Sequence, residues 1–281
     1  MSLTIRPLAA SELGLAIEWA AAEGWNPGQH DALAFHAADP DGFLVGELPS
    51  SEPVGVISAV RTGDDFGFIG FYIVAPGHRG RGHGLRLWNA AMERLAGRTI
   101  GLDGVVAQQA NYARSGFTLA HRNLRYGGTA PAAATLLPPD VVDAHTVPFG
   151  QLVAFDAARF GRPRPAFLRA WIDLPDSRAL VIVRNGEIRG FGQVRRCRAG
   201  CKIGPLFAGN EADADALFTA LAGYAPGEPL FLDPPEPNAA AVALARRHGL
   251  EPVFETARMY RGPAPALPLE QIYGITSFEL G

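Results

Sequence analysis

One stretch constrains the fold of this 281-residue chain more than any other: residues 68–95, FIGFYIVAPGHRGRGHGLRLWNAAMERL. It opens with an apolar run at 68–74, the length of a buried strand, which Pro76 and Gly77 end. A basic, glycine-rich loop follows, His78-Arg79-Gly80-Arg81-Gly82-His83-Gly84. Leu87/Trp88, Ala91/Met92 and Leu95 then recur at three-to-four spacing and predict a helix with one apolar face. Strand, glycine loop and helix together can hold a phosphate. Glycine takes positive φ and lets backbone approach a ligand closely. The first amides of a helix have no partner inside it, and the dipole favours an anion there. Arg79, Arg81 and Arg86 add positive charge at that end. A plain helix-capping turn is the alternative. The charge counts against it, because three arginines and two histidines repel in one tight turn unless an anion sits among them.

The loop is not G-x-x-x-x-G-K-[ST]. Nor is it G-x-G-x-x-G, since Leu85 stands where the last glycine belongs. Its spacing, Arg79-x-x-Gly82-x-Gly84, resembles the acyl-CoA pyrophosphate loop R/Q-x-x-G-x-G/A of the GNAT superfamily of N-acetyltransferases. The resemblance implies that Arg79, Gly80, Arg81, Gly82, His83, Gly84 and Leu85 bind the pyrophosphate of acetyl-CoA. It implies that the backbone of Tyr72, Ile73 and Val74 binds the pantetheine. A second marker, Tyr112-Ala113-Arg114-Ser115-Gly116-Phe117, resembles the family's Y-x-x-x-G-F, in which the tyrosine protonates the leaving sulfur. A phenol of pKa near 10 can supply that proton to a thiolate of pKa near 8.5. Packing of the short helix is the other reading of Tyr112. The family's asparagine, seven residues earlier, is Val105 here.

Length predicts two domains of ordinary size. Hydrophobic residues make up 48% and charged residues 19%, so each half can bury a core. A net charge of −3 supplies no global field for nucleic acid. The opening MSLTIRPLAASELG lacks a basic region followed by an apolar core, and no apolar run reaches membrane-span length. The expectation is a cytoplasmic monomer or homodimer, with no nucleic-acid or membrane partner. Cys197 and Cys201 lack a second pair to complete a zinc site, and read as reduced thiols with no metal.

Along the chain, residues 3–7 predict a strand, and 13–22 and 31–38 predict helices. Residues 42–48 and 53–61 predict a hairpin, and 66–74 its third strand. After the loop and its helix come a strand at 99–106, a short helix at 108–115 and a strand at 117–126. This order matches the GNAT fold. Residues 127–139, GGTAPAAATLLPP, are uncharged and punctuated by Gly and Pro, as a linker is. The second half repeats the outline. Helices are expected at 149–160 and 164–172, and strands at 178–184 and 188–196 around the turn Asn185-Gly186. An apolar strand at 202–208 precedes a helix at 211–224, and PLFLD at 229–233 matches IGLD at 100–103. A helix at 239–248 and a strand at 252–260 close the copy. The reading is an α/β (α+β) protein of tandem GNAT folds, each a mixed, mostly antiparallel twisted sheet flanked by helices. Residues 1–128 would carry the acyl-CoA site, 129–139 the linker, and 140–281 a degenerate copy with a substrate or structural role.

The copies differ where chemistry is expected. The second loop, Gly209-Asn210-Glu211-Ala212-Asp213-Ala214, has no arginine and no glycine pair. Glu211 and Asp213 suit an empty helix start and would repel a pyrophosphate. Ala245 stands at the tyrosine position and Asn238 at the asparagine position. The second half also resembles the C-terminal domain of the GNAT group typified by the bacillar YitH acetyltransferase. Arg196-Cys197-x-x-Gly200-x-Lys202-Ile203-Gly204-Pro205-Leu206, Phe254-Glu255-Thr256-x-Arg258-Met259-Tyr260 and the tail at 273–281 carry that likeness.

The resemblances imply transfer of an acetyl group from acetyl-CoA to the amine of a small molecule, with a backbone N–H near Val74 supporting the acyl oxygen. No general base is evident: residues 66–74 hold no carboxylate, and Asp64 and Asp65 read as turn residues. Arg159, Arg162 and Trp171 are the substrate-binding candidates. With Arg164, Phe155, Phe160 and Phe167 they form either a solvated basic face over an aromatic core or a lid that grips an anionic small molecule. The tail at 273–281 is a candidate cover for the site. An acyl-CoA sensor without turnover stays as the alternative function, and the presence of Tyr112 weighs against it.

Overall fold

The computed structural model describes residues 3–131 and 138–281. The first half begins with β1 (Thr4–Pro7), α1 (Leu13–Ala22) and α2 (Asp31–Ala38). α1 buries Leu13, Ala16, Ile17 and Ala20, one stripe of a 3.6-residue repeat. β2 (Phe43–Glu47), β3 (Pro53–Thr62) and β4 (Phe66–Val74) form an antiparallel meander. α3 (His83–Arg94) then crosses over to β5 (Thr99–Val105), which lies parallel to β4. α4 (Gln109–Arg114) and β6 (Thr118–Thr129) end this half.

The second half supplies β7 (Val141–Asp143), α5 (Phe149–Phe160), α6 (Pro165–Ile172), β8 (Ser177–Arg184) and β9 (Glu187–Arg196). Asn185 and Gly186, at φ 53° and 78°, turn β8 into β9 as an Asn-Gly hairpin requires. β10 (Cys201–Ala208), α7 (Glu211–Ala222), β11 (Pro229–Leu232), α8 (Ala239–Arg247), β12 (Glu251–Arg261) and β13 (Ile272–Gly274) follow. The short β7 and β13 went unforeseen in the sequence. β6 runs on to Thr129, past the point where the linker was expected to begin; residues 132–137 of that linker lie outside the described residues.

All the strands join one mixed, mostly antiparallel sheet, ordered β1-β2-β3-β4-β5-β12-β6-β11-β10-β9-β8-β7, with β13 against β10. β6 and β12 are exchanged between the halves. β12 pairs with β5 of the first half, β6 pairs with β11 of the second, and β6 and β12 pair with each other at the centre. Buried ion pairs tie the exchanged strands down. Arg258 on β12 grips Asp103 on β5 at 2.8 and 2.6 Å, and Arg125 on β6 grips Asp233 at 2.8 Å twice. Arg195 on β9 reaches across to Asp31 on α2 at 2.8 Å. Removing one partner of such a buried pair typically costs about 3–5 kcal/mol, because the other charge is left stranded. The apolar core also crosses between halves: Trp171 of α6 stacks on Phe35 of α2 at 6.1 Å.

Among the described residues, no helix is long and apolar enough to cross a membrane. Cys197 and Cys201 are unpaired thiols, both buried.

Candidate active site

β4 and β5 run together only where Phe66–Ile69 faces Thr99–Leu102. The separation beyond that point starts from a bulge in β4. Against β3 its register slips, so that Phe71 and Tyr72 stand opposite Ile57 alone. Phe71 takes φ 47°, a strained conformation that survives only where packing enforces it. Phe35 and Phe43 supply that packing, with rings 5.7 and 5.8 Å from the Phe71 ring.

A cleft of about 520 Å³ fills the gap. Its middle is walled by Tyr72, Ile73 and Val74 on one side and by residues 102–105 on the other. At one end lie Arg79, Gly80, Gly82, Gly84 and Leu85. Gly80 and Gly82 have φ 74° and 81°, and a Cβ at either would stand in open space. Gly82 begins α3 without any side-chain cap, so the first amides of that helix stay available. Gly84 is required for a different reason: a Cβ there would come 2.7 Å from the Tyr72 hydroxyl. Arg79 donates to the Val74 carbonyl at 2.8 Å and pairs with Glu23 at the cleft's rim. Arg81 is exposed and has no partner among the described residues. His83 turns inward instead, 6.2 Å from the His78 ring. Burial first, then the charges of His78, Arg81 and Arg86, holds its imidazole below the usual value.

Tyr112 lies on the wall of the same cleft, 8% exposed. Its ring covers Gly104, where a Cβ would come within 2.2 Å of it, and meets Trp88 at 5.6 Å. Burial, then proximity to Tyr72, pushes the phenol up to about 12. The other end of the cleft comes from distant parts of the chain: Trp25, Phe254 and Thr256 of β12, and Phe278 and Glu279 of the tail. The tail lies directly on β4, since a Cβ at Gly70 would come 2.3 Å from the Glu279 carbonyl oxygen.

Two GNAT families match the chain. The acetyltransferase (GNAT) family covers residues 12–117, and an acetyltransferase (GNAT) domain covers residues 152–274. Over 285 aligned residues the chain is 34% identical to the holothin acyltransferase of Pseudoalteromonas sp. (strain SANK 73390), covering 99% of this chain and 94% of that protein. The chain belongs to the GNAT acetyltransferase family. It is a GNAT-type acyltransferase with two GNAT domains in one polypeptide. Solved structures share the fold. A putative acetyltransferase from Pyrococcus horikoshii superposes with a TM-score of 0.82 at 23% identity, over 99% of this chain and 96% of that one. A tandem GNAT protein from the clavulanic acid biosynthesis pathway gives 0.62 at 18% identity, over 94% and 100%.

The second GNAT domain has a filled counterpart of the cleft. β10 pairs with β11 at Cys201–Ile203, and β13 then takes the place beside Leu206 and Phe207. The Asn210 side chain caps α7 by accepting from the Asp213 amide at 2.9 Å. Ala245 is wholly buried, and Asn238 caps α8 while donating to the Leu269 and Ile272 carbonyls at 3.0 Å each.

Arg159, Arg162 and Trp171 do not reach the cleft, because each already binds the protein's own groups. Arg159 donates to Gln271 at 2.7 Å, and Arg162 forks onto Asp65 at 2.7 Å twice. Trp171 is fully buried between Phe35 and Phe167, with its indole N–H on the Gly204 carbonyl at 3.3 Å. The arginine–aromatic interleaving belongs to a seam between the halves. The cleft residues Trp25, Phe254, Thr256 and Glu279 went unforeseen. Only the tail, taken as a candidate cover, gave a signal.

Proposed function

We propose that this GNAT enzyme moves an acetyl group from acetyl-CoA to the amine of a small molecule. The observation that carries the reading is the continuity of one cleft from the uncapped start of α3, along the parted strands, to Tyr112. The loop fits a pyrophosphate: Cβ positions at Gly80 and Gly82 are open, and Arg81 stands exposed beside them. The first amides of α3, with Arg79 and Arg81, would hold the pyrophosphate. The edge of β4 that β5 has left, at Tyr72, Ile73 and Val74, would bind the pantetheine as a short strand binds a sheet edge. When bound, acetyl-CoA supplies an acyl thioester. Burial keeps the proton on Tyr112 Oη, so the phenol stands on the cleft wall in the form that can donate toward the sulfur. Residues 1–128 carry the acyl-CoA loop in this reading, and residues 140–281, with Trp25, supply the acceptor's wall.

Thiol release from acetyl-CoA over a panel of primary amines, beside calorimetry with CoA, tests this. One CoA should bind per chain, and at least one amine should release thiol and gain an acetyl group by mass. Binding without thiol release on any amine would overturn the transferase reading in favour of a sensor. Turnover with longer acyl-CoAs alone would overturn the choice of acetyl.

A further inference from the structure

The cleft's far end holds polar atoms that the protein leaves unsatisfied. Glu279 is 3% exposed, and neither carboxylate oxygen has a hydrogen-bond partner. Thr256 is 2% exposed, and its hydroxyl has none either. Both line the cleft. Burying such groups without partners costs free energy, so a partner is expected from outside. Packed aromatic rings link the two across the cleft wall. Phe254 and Thr256 share a face of β12, and Phe254 packs against Phe278, the residue before Glu279, at 6.0 Å.

Three cations lie within reach of the Glu279 charge, but none of them hydrogen-bonds to it. Its field acts on Arg125, Arg195 and Lys202. Arg125 is bound to Asp233 and Arg195 to Asp31, while Lys202 donates to the Asn26 carbonyl at 2.9 Å. Among the described residues, Glu279 forms no ion pair. The remaining walls, Trp25, Phe254 and Phe278, are aromatic.

Resting on the acyl-transfer reading above, we infer that Glu279 and Thr256 receive the acceptor's amino group, and that Glu279 is the base the reaction needs. The orphaned oxygens can accept the two N–H donors of a neutral primary amine, and the aromatic walls match a compact apolar or aromatic body. The balance closes. A nitrogen–carbon bond forms as the carbon–sulfur bond breaks. Glu279 takes the proton lost by nitrogen, and Tyr112 gives the proton gained by sulfur.

Benzylamine, phenethylamine and tryptamine, against glucosamine and spermidine, test the acceptor class. The aromatic amines should lead by about tenfold or more in kcat/KM, and a lead by the polar amines would overturn that class. On the best amine, Glu279→Gln should lower kcat by about 10²-fold or more, as loss of a general base does. CoA affinity should stay within about twofold. The melting temperature should stay near the wild-type value, because glutamine fills the same volume and Glu279 has no hydrogen bond in the fold to lose. Thr256→Val should raise KM for the amine several-fold with little change in kcat. A Glu279→Gln variant that keeps turnover within about threefold, or that loses stability and CoA affinity together, would overturn the assignment. Wild-type protein that binds CoA yet acetylates no amine fails differently, since it sinks the acyl-transfer reading first.

Discussion

Helix α3 begins on a glycine at φ 81°, uncapped, with open space before it; helix α7 begins on Asn210, whose side chain caps it. The two helices follow corresponding strands in two domains of one family, so the contrast isolates what a ligand requires. The α3 end has bare amides and arginines. The α7 end has its own carboxylates, with Asp213 buried and Arg184 at 2.6 Å from it. Beside α3 the strands part around a cleft, whereas beside α7 the corresponding gap is closed by β13. Gly274 shows how closely: a Cβ there would come 2.7 Å from Leu232. In the second domain the corresponding gap is internal packing. The chain that fills it then runs on to place Glu279 in the first domain's cleft.

The largest expected effect tests the α3 side. Gly82→Glu puts a side chain at positive φ and a negative charge where the anion belongs. Losing two charge-assisted hydrogen bonds, at about 1.5–3 kcal/mol each, would weaken CoA by about a thousandfold. Calorimetry on a variant shown to be folded reads this, and unchanged affinity would make the loop an ordinary turn.

Tyr112→Phe sharpens the contrast with Ala245. It keeps the ring on Gly104 and Trp88 and removes only the hydroxyl. We expect kcat and kcat/KM to fall together by about a hundredfold, with CoA affinity and melting temperature nearly unchanged. Because the phenol sits at about 12, no alkaline fall in rate below about pH 11 should come from it. The same upward shift contributes stability that is complete below about pH 10 and lost as pH rises through about 12. Turnover within twofold of wild type would leave Tyr112 as packing.

The smallest effect is a null. Glu211→Gln with Asp213→Asn removes the repulsion at α7 but leaves β13 in the gap, so binding should stay at one CoA per chain. A second equivalent by calorimetry would show that charge alone had closed the second slot.

The first loop was legible because its property is local: glycine spacing and arginines set the backbone and field of residues 79–85 without help from elsewhere. The elements were legible for the same reason, since α1 and β4 carry their periods in consecutive residues. Strand partners were not. β6 and β12 read alike as strands, and nothing within either says which lies beside β5, because pairing is settled by packing across the sheet. Glu279 was hidden likewise. Its burial depends on the path of the tail over Gly70, some 200 residues earlier in the chain. The segment around Arg159, Arg162 and Trp171 kept two readings because arginines among aromatics look the same whether they face a ligand or an internal seam.

The exchange of β6 and β12 also governs when the enzyme can exist during its own synthesis. Val105 must wait for Thr256, about 150 residues later, before the edge of β5 is covered. Contacts of such long range slow folding, and the exposed edge invites wrong pairings meanwhile. Phe254, Thr256 and Glu279 arrive with β12 and the tail behind it, so a nascent chain can own the glycine loop while lacking one wall of the cleft. The two domains cannot be divided at the linker into independent working parts, since each would leave with the other's closing strand.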